Sequence, residues 1–465
     1  MLRILCFIFI TSLLFVGCAK KEVKSELSFI KQDLGQFAES WMVDSNKTLE
    51  LKEKYLESYF SPFDLKVKHN KDELLWGIKA AFSNPGFGEN LEPYSLDEIK
   101  KLESVANLES YPSVKIPAVI VNNANLRVLP TNKPRFIKGA GEGYPFDLWQ
   151  NSSIYANTPV LITHYSKNKE WAFVESGFVS GWVESKSVGI LSKKAMKQFR
   201  KRSDFIVFLQ DFTPLFLNNG EFLEMGRLGM LLPLVEKNGD FYEAFSFIRD
   251  EFGKAKAVRV KVGIKNATEF PQSFFAKAVA SLAQGILGEK YGWGGLYGNR
   301  DCSSLLRDIF SNFGFYLPRN SQAQMGVNRE LSELYLPLET LPLDKLESLS
   351  DSKREEFLEQ FAKDKKGQIS DFAIPFATLL GLKGHIMLYL GEIDGEIYVL
   401  HDVWGLKTLQ NETKEGRKII GKVAITSLEI GKGVEEVVQE NLLIYRIYGA
   451  RNLVLKTDLK EAEQN

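Results

Sequence analysis

The sequence predicts a multidomain α+β protein with a helical N-terminal region, two small β-rich domains and a closing α+β domain. Apolar residues recur at mostly helical spacing from Lys47 to Phe82, which indicates the helical region. Short β-branched and aromatic runs, separated by Asn, Pro, Gly and Ser, fill residues 116–188 and 204–264 and indicate the β-rich domains. After Pro271 an amphipathic helical pattern precedes strand and turn patterns, as in a segregated α+β domain.

The composition is that of an ordinary globular protein. Of the 465 residues, 44% are hydrophobic and 25% are charged. The 59 basic residues balance the 59 acidic ones, and no segment concentrates Lys and Arg. Without a basic patch the chain does not attract phosphate backbones, so we expect no nucleic acid partner.

The first residues predict export. Arg3 precedes an apolar run from Ile4 to Val16, which is a secretory signal and is shorter than the roughly 20 residues of a membrane span. The segment "LFVGC" resembles a bacterial lipobox, which implies that Cys18 is lipidated and holds a periplasmic protein on a membrane through acyl chains. Ala19 at the next position resembles the outer-membrane default. The alternative is an ordinary cleaved signal peptide in which Cys18 has no role.

Changes in composition and in the apolar pattern along the chain predict the domain boundaries. The polar stretch "KKEVKSELSFIKQDLGQFAES" is typical of a tether. We expect a signal peptide (1–17), a lipidated tether (18–45), a helical N-terminal domain (46–112), a first β-rich domain (113–190), a second β-rich domain (200–265) and a closing α+β domain (270–455).

Both β-rich segments predict small closed barrels. In the first, "LRVLPT", a long loop, "TPVLITHYSKNKEWAFV" and "SGWV" follow in the order of a bacterial SH3-like domain, and Gly181 and Trp182 match its closing strand. In the second, the turn "KNGD" between two apolar runs predicts a hairpin. By this resemblance, we expect two small SH3-like β-barrels.

The closing domain predicts a helix followed by an antiparallel sheet. The loop "YGWGGLYGNRD" contains four glycines, which let a backbone approach a ligand closely, and "CSSLLRDIFSNFG" is a helix that Gly314 ends. Residues 325–366 become charged and predict a solvated, helical insertion. The runs "GHIMLYLGEI" and "EIYVLHDVWG" then form a hairpin around Asp394 and Gly395. This order is that of a papain-like α+β domain.

Cys302 is the only cysteine outside the first 18 residues, since the other two are Cys6 and Cys18. An exported chain with no second thiol to pair with leaves Cys302 as either a buried small hydrophobe or a working thiol. At the start of a helix its sulfur would lie at the positive end of the helix dipole. We therefore expect the pKa of this thiol to be lowered.

Two of the four histidines can serve such a thiol. His69 is predicted to be a solvated surface residue and His164 a structural residue of the first barrel. Around the predicted turn, residues whose numbers sum to about 789 face one another, so position 404 lies opposite His385 and His401 lies diagonally near it. A thiol needs a base within about 3 Å and a partner that orients the base. His385 and His401 can fill these two roles.

The segments "YGWGGLYGNRDCSSLLRDIF", "GHIMLYLG" and "VLHDVWG" closely resemble the NlpC-type cell-wall peptidases, a papain-like cysteine hydrolase family. The resemblance implies that Cys302 is the nucleophile, His385 the base and His401 the residue that orients it. It also implies cleavage of the bond between D-Glu, through its side-chain carboxyl, and the diamino acid of peptidoglycan stem peptides. We expect no cofactor and no metal site, because one Cys and two separated His lack clustered ligand spacing.

Four further residues are candidates for substrate binding. The resemblance implies that Asp301 binds the free α-amine of an N-terminal L-Ala, while its structural alternative is a helix N-cap. Ser303 either contacts the peptide or only starts the helix. Tyr144, in the loop "GEGYPFDLWQNSS", either lines the substrate cleft, as Asp147 and Gln150 would, or packs within its own loop. Trp293, beside Tyr291, either stacks on substrate or packs against the fold.

Two other functions stay open at this stage. The chain is alternatively a non-catalytic peptidoglycan-binding lipoprotein, or an acyl or amide transferase on the same fold. The complete set of Cys302, His385 and His401 favours the peptidase. The sequence does not define the diamino acid, the choice between crosslinked wall and free peptide, the oligomeric state or whether the 325–366 insertion forms a lid.

Overall fold

The computed structural model of the protein describes residues 30–37, 39–138, 143–326, 333–411 and 414–461. The predicted signal peptide, Cys18 and the first part of the tether lie outside the described residues. Within the described ranges, no helix is long and apolar enough to span a bilayer.

The helical N-terminal region rests on the first barrel. Ile78 and Ile99 share an apolar core with Trp149, Trp171 and Trp182 of that barrel. Side chains cap the helices that begin at Ser45, Lys71 and Leu96, and one example is the reciprocal pair of Ser95 and Glu98. The helices are α1 (Ser45–Phe60), α2 (Lys71–Leu74), α3 (Trp76–Ser83) and α4 (Leu96–Ala106).

The first β-rich segment forms a seven-stranded SH3-like barrel. Gly181 and Trp182 lie in the closing strand, and Trp182 is fully buried. The strands are β2 (Ile116–Ile120), β3 (Ala124–Arg127), β4 (Gln150–Ile154), β5 (Pro159–Tyr165), β6 (Trp171–Glu175), β7 (Ser180–Glu184) and β8 (Val188–Ile190).

A short helix, α5 (Lys193–Arg200), leads into a second seven-stranded barrel. The hairpin predicted at "KNGD" is present, and Asn238 pairs with Phe241 across the turn. The strands are β9 (Phe205–Phe208), β10 (Thr213–Leu217), β11 (Phe222–Gly226), β12 (Leu231–Asn238), β13 (Phe241–Arg249), β14 (Ala255–Gly263) and β15 (Ala267–Glu269).

The closing domain has a six-stranded sheet with helices on both faces. Its helices are α6 (Ala276–Gln284), α7 (Cys302–Ser311), α8 (Ser321–Met325), α9 (Leu343–Glu347), α10 (Asp351–Phe372) and α11 (Leu443–Arg446). Its strands are β16 (Tyr335–Pro337), β17 (Thr378–Leu382), β18 (His385–Ile393), β19 (Glu396–Asn411), β20 (Lys414–Ser427) and β21 (Ile447–Asn452). The sheet order is β16-β21-β17-β18-β19-β20. Together with the two barrels, this is the predicted multidomain α+β fold.

The sequence predicts that the charged insertion is solvated, but part of it is buried. Helix α10 packs Ala362 and Ile369 on the sheet face opposite α7. Lys365 is buried, and its amine donates to the carbonyls of Ile444 (3.0 Å) and Ile447 (2.9 Å). A buried amine is tolerated here because backbone oxygens replace its water.

The tether prediction is wrong for residues 30–45. Leu34, Trp41 and Val43 are buried in the core that also contains α7. Strand β1 (Trp41–Val43) pairs with β22 (Leu459–Glu461), which joins the two ends of the described chain. The rest of the predicted tether, residues 18–29, lies outside the described residues.

The glycine-rich loop, predicted to approach a ligand, packs closely against the first barrel. Gly294 and Gly295 have φ angles of 60° and 84°, which L residues rarely adopt. A Cβ at Gly294 would lie 2.7 Å from the Gln150 side chain, and one at Gly295 would lie 2.5 Å from Ser153 Oγ. Both contacts are on β4 of the first barrel. The glycines therefore let the closing domain dock against that barrel.

A buried ion network joins the closing domain to the second barrel. Arg300 is fully buried, and its guanidinium donates to Asp211 of the second barrel at 2.5 and 2.9 Å. It also donates to Glu289 (2.7 Å) and to Asp308 of α7 (2.8 Å). Because the cation lies two residues before Cys302, the network fixes the start of α7.

We predict that Gly295→Ala destabilises the protein by several times more than Gly288→Ala. Gly288 has a similar φ of 86° but no atom within 4 Å of a built Cβ, so it carries only the backbone cost of about 1 kcal/mol. Gly295→Ala adds steric overlap with Ser153, which costs roughly 1–3 kcal/mol more. Thermal unfolding midpoints of both variants measure the difference. Equal midpoints would contradict the close docking of the two domains.

Candidate active site

Cys302 is the first residue of α7, as predicted. Asp301 is the N-cap: its carboxylate accepts from the Ser304 N–H (3.0 Å), and Ser304 Oγ accepts from the Asp301 N–H (2.9 Å). Cys302 is 9% exposed and lines a cavity of about 700 Å³ together with Asp301, Ser303 and Trp293. Its N–H has no partner within the helix, because the first turn of a helix lacks acceptors.

The two predicted histidines meet at the start of β18. His385 Nε2 lies 2.8 Å from His401 Nδ1, and His401 Nε2 lies 3.0 Å from Thr426 Oγ1 on β20. The predicted register is wrong by one residue beyond a bulge between Tyr389 and Gly391. Leu388 therefore pairs with Leu400, so the numbers of paired residues sum to 788 instead of the predicted 789. The diagonal contact between the histidines nevertheless forms.

The thiol lies beside this pair. The N–H of Ile386, which follows His385, donates to the Cys302 sulfur. Burial, followed by the negative charge of Asp301, raises the pKa of Cys302 to about 12, although this N–H and Arg319 act in the opposite direction. The expectation of a lowered pKa is therefore wrong for the free protein, because desolvation outweighs the helix start.

Both histidines are held in the neutral form. Burial lowers the pKa of His385 to about 4, and Arg446 acts in the same direction. Burial and His385 lower the pKa of His401 well below its usual value. With His385 Nε2–H donating to His401 Nδ1, the lone pair of His385 Nδ1 is free to accept a proton. The site can thus take a proton from a thiol that is neutral at rest.

Asp301 is both a cap and an ion-pair partner. Arg319 Nη2 donates to Asp301 Oδ2 at 2.5 Å, and its other nitrogens contact Ser303 Oγ and Ser152 Oγ. Ser303 Oγ also donates to Asp301 Oδ1 (3.1 Å). Burial opposes ionisation, but Arg319 and the hydrogen bonds from Ser304 hold the pKa of Asp301 at about 2. Asp301 is therefore a carboxylate at the floor of the cavity.

The aromatic candidates take different positions. Trp293 lines the Cys302 cavity, donates from Nε1 to the Asp147 carbonyl (2.9 Å) and packs on Phe146. Tyr144 does not line that cavity; it borders a separate groove on the other side of Tyr291 and Trp293. Asp147 is buried and pairs with Arg127 at 2.7 Å, which is a structural role.

Of the three remaining polar candidates, two line the cavity and one does not. Gln150 lines it and donates to the Gly294 carbonyl (2.9 Å). His69 is partly solvated, with 36% of its side chain exposed, and it also lines the same cavity and lies 2.8 Å from Ser180 Oγ. His164 is fully buried in the first barrel and contacts Ser113 Oγ at 2.8 Å, as expected for a structural residue.

Sequence reasoning missed three residues near the thiol. Thr426 and Arg319 reach the site from a distant strand and a loop, so no motif marks them. Asp402 is fully buried, and neither carboxylate oxygen has a hydrogen-bond partner within the described part of the chain. Burial, with Asp301 and Glu289, raises the pKa of Asp402 well above its usual value. Among the described residues, no cluster of His, Cys, Asp and Glu could hold a metal ion.

A helix-start thiol, paired histidines on an antiparallel sheet and a cavity around them define a papain-like cysteine peptidase. Family models agree along the chain: an NLPC_P60 stabilising domain (7–111), an SH3 domain of SH3b1 type (134–184), an SH3 domain of SH3b2 type (192–237) and the NlpC/P60 family (288–402). The closing domain is thus an NlpC/P60 domain, preceded by an NLPC_P60 stabilising domain and two SH3b domains, and the protein is a cysteine peptidase. The NlpC/P60 family is a family of cell-wall endopeptidases.

One solved structure supports the same fold. An NlpC/P60 endopeptidase from Photobacterium damselae subsp. piscicida is 22% identical, with a TM-score of 0.75 over 91% of this chain and 97% of that chain. An NlpC/P60 family protein from Bacillus cereus ATCC 10987 is 14% identical, with a TM-score of 0.45 over 72% of this chain and 99% of that chain. No curated protein matches the chain.

We predict that Asp301→Asn speeds alkylation of Cys302 by iodoacetamide. Asn retains the helix cap but removes the negative charge that raises the thiol pKa, and each unit by which that pKa falls raises the thiolate fraction about tenfold. Rates are measured between pH 7 and 10. Asp44→Asn, the same change at the N-cap of α1, is the control and should leave the rate unchanged. An unchanged or slower rate in Asp301→Asn would refute this electrostatic account.

Proposed function

We propose that the protein hydrolyses the γ-D-glutamyl to diamino acid bond of peptidoglycan stem peptides through an acyl-enzyme on Cys302. The observation that carries the proposal is the hydrogen-bonded pair of His385 and His401 beside a thiol at a helix start. The match of residues 288–402 to the NlpC/P60 family supports the class of substrate.

Acylation is the first step of the proposed reaction, and it uses Cys302, His385 and His401. The Cys302 sulfur attacks the γ-carbonyl carbon while its proton passes to His385 Nδ1, and His401, held by Thr426, stabilises the imidazolium. The carbonyl oxygen gains negative charge, which the Cys302 N–H is positioned to bind. When the C–N bond breaks, His385 returns the proton to the leaving amine. A thioester remains on Cys302.

Deacylation uses the same base. His385 takes a proton from water, the resulting hydroxide attacks the thioester carbon, and the C–S bond breaks. The proton returns to the sulfur, which restores the neutral thiol, and the new carboxylic acid leaves. Cys302 and His385 are the catalytic residues in this scheme and His401 is the orienting residue. No step uses a cofactor.

We assign substrate contacts to three residues of the cavity. Asp301 binds the free α-amine of an N-terminal L-Ala, and the amine shares Oδ2 with Arg319. Ser303, beside this carboxylate, and the Trp293 ring contact the peptide. Tyr144 lies beyond the cavity wall, so its contact would be with a part of the substrate outside the cavity.

We also propose that the protein is periplasmic and is anchored through a lipidated Cys18, with the outer membrane favoured. The support is the sequence "LFVGC" followed by Ala19. Mass spectrometry of the protein from isolated envelopes tests this. An N-terminal diacylglyceryl cysteine at position 18 is the expected result, and an unmodified terminus would contradict it.

We predict that L-Ala-γ-D-Glu-diaminopimelate is cut between D-Glu and the diamino acid, and that N-acetylation of the alanine prevents this cleavage. Products are identified by mass spectrometry. Cys302→Ala should lower kcat/KM by roughly 10⁴-fold or more, and His401→Ala by about 10²-fold or more. Added chelator should change nothing. Cleavage of neither peptide would favour a wall-binding lipoprotein, and products joined to an added amine would favour a transferase.

We predict that kcat/KM falls with decreasing pH only near pH 4. His385 must be neutral to accept the thiol proton, and burial lowers its pKa from 6.5 to about 4, so the active form persists as pH falls through 6 and 5. The pH dependence of kcat/KM is measured with the free tripeptide. An acid limb centred at 6.5 or above would contradict the buried, neutral base.

A further inference from the structure

Asp402 is a buried carboxyl group that the proposed mechanism does not use. It is fully buried, and neither carboxyl oxygen has a hydrogen-bond partner within the described part of the chain. It follows His401 on β19 but does not line the Cys302 cavity, so it makes no contact with a substrate there. Buried polar groups without partners are rare in folded proteins, and beside an active site they are candidates for a functional role.

The register of the sheet places Asp402 on the face that α7 covers. Side chains two residues apart on a strand share a face, and Leu400 belongs to the apolar core that also contains Cys302. Asp402 pairs with Val423 of β20, which belongs to the same core. The carboxyl group therefore lies on the same side of the sheet as the thiol.

The buried cations near the thiol can each be matched with a carboxylate other than Asp402. The pairs are Arg227 with Asp211 (2.8 Å), Arg300 with Glu289 (2.7 Å), Arg307 with Asp308 (2.7 Å) and Arg319 with Asp301 (2.5 Å). Among the described residues, no cation donates a hydrogen bond to Asp402. An ionised Asp402 would therefore be an unpaired buried charge, which is strongly unfavourable.

The ionisable groups around Asp402 come from the start of α7, the loop before it and the adjoining strands. They are Asp301 and Cys302, then Glu289, Tyr291 and Arg300, and the neutral His385 and His401. Burial first, and then the charges of Asp301 and Glu289, raise the pKa of Asp402 well above its usual value, although Arg300 acts in the opposite direction. The resting form of Asp402 is therefore the carboxylic acid.

We propose that the protonation of Asp402 controls the reactivity of Cys302: the carboxylic acid leaves the thiol reactive, and the carboxylate suppresses it. When Asp402 loses its proton to solvent, its negative charge adds to that of Asp301, and both oppose formation of a thiolate. Proton transfer from Cys302 to His385 then becomes less favourable at alkaline pH. Asp402 acts through the thiol and touches no substrate, so it is a positioning residue.

The first test is alkylation of Cys302 by iodoacetamide from pH 6 to pH 10, in the unmodified protein and in Asp402→Asn. Asn has nearly the same shape and does not ionise. The two rates should agree within about twofold at pH 6. At pH 10 the variant should react about tenfold faster or more, since each unit by which the thiol pKa is lower gives a tenfold larger thiolate fraction.

The matched control is Asp394→Asn, the same change at an exposed turn of the same hairpin, and its profile should be that of the unmodified protein. Profiles of Asp402→Asn and the unmodified protein that run parallel at every pH, whether equal or offset, would overturn the proposal.

Stability gives an independent measurement. A carboxyl group whose pKa is raised by folding binds its proton more tightly in the folded state, so the unmodified protein loses stability as pH rises above about 4, the value in unfolded chains. Asp402→Asn escapes this loss. Its thermal midpoint should exceed that of the unmodified protein by a margin that grows from pH 5 to pH 8.

Glu429→Gln is the control for stability, because it removes a buried carboxylate that pairs with Lys366 and Lys432, and it should lower the midpoint. A lower midpoint for Asp402→Asn at every pH would overturn the buried acid.

Neither measurement uses a substrate, so the role of Asp402 and the proposed function are tested separately. The predicted alkylation and stability profiles without cleavage of the tripeptide would sink only the proposed function. Cleavage of the tripeptide with parallel alkylation profiles would sink only the role of Asp402.

Discussion

The placement of the thiol depends on one buried cation. Arg300 has no access to water, and its charge is compensated by Asp211 from the second barrel, Glu289, and Asp308 from α7. Removing one partner of such a network leaves an unpaired buried charge, which costs roughly 3–5 kcal/mol. Because Arg300 immediately precedes the cap residue Asp301, the second barrel supports the helix that begins at Cys302.

Burial also determines the chemistry of the site. A helix start alone would favour a thiolate, but the surroundings of Cys302 exclude water and place Asp301 beside the sulfur, so the resting pair is a neutral thiol and a neutral imidazole. In the proposed mechanism, the hydrogen bonds from His385 to His401 and from His401 to Thr426 stabilise the positive charge that His385 carries only during the reaction. Arg319 keeps Asp301 ionised, so the Asp301 carboxylate stays negative while the Cys302 thiol is neutral.

Local patterns predicted the parts of the fold that local interactions determine. The switch to apolar periodicity placed Cys302 at the helix start, and the Asp394-Gly395 turn brought His385 near His401. The bulge near Tyr389 shifts the strand register by one residue. The sequence did not predict it, because a bulge has no characteristic composition. Thr426, Arg319 and the docking role of Gly295 depend on contacts between segments far apart in sequence, and so does the burial that reverses the expected pKa shift.

The most direct test of the central claim is the mass of the enzyme itself during turnover. The protein is mixed with L-Ala-γ-D-Glu-diaminopimelate, quenched in acid within milliseconds and digested for peptide mass spectrometry. The account predicts an L-Ala-D-Glu acyl adduct on the peptide containing Cys302, and its loss as hydrolysis is completed. Cleavage that proceeds with the adduct on another residue, or with labelled water entering the product and no adduct at any time, would contradict it.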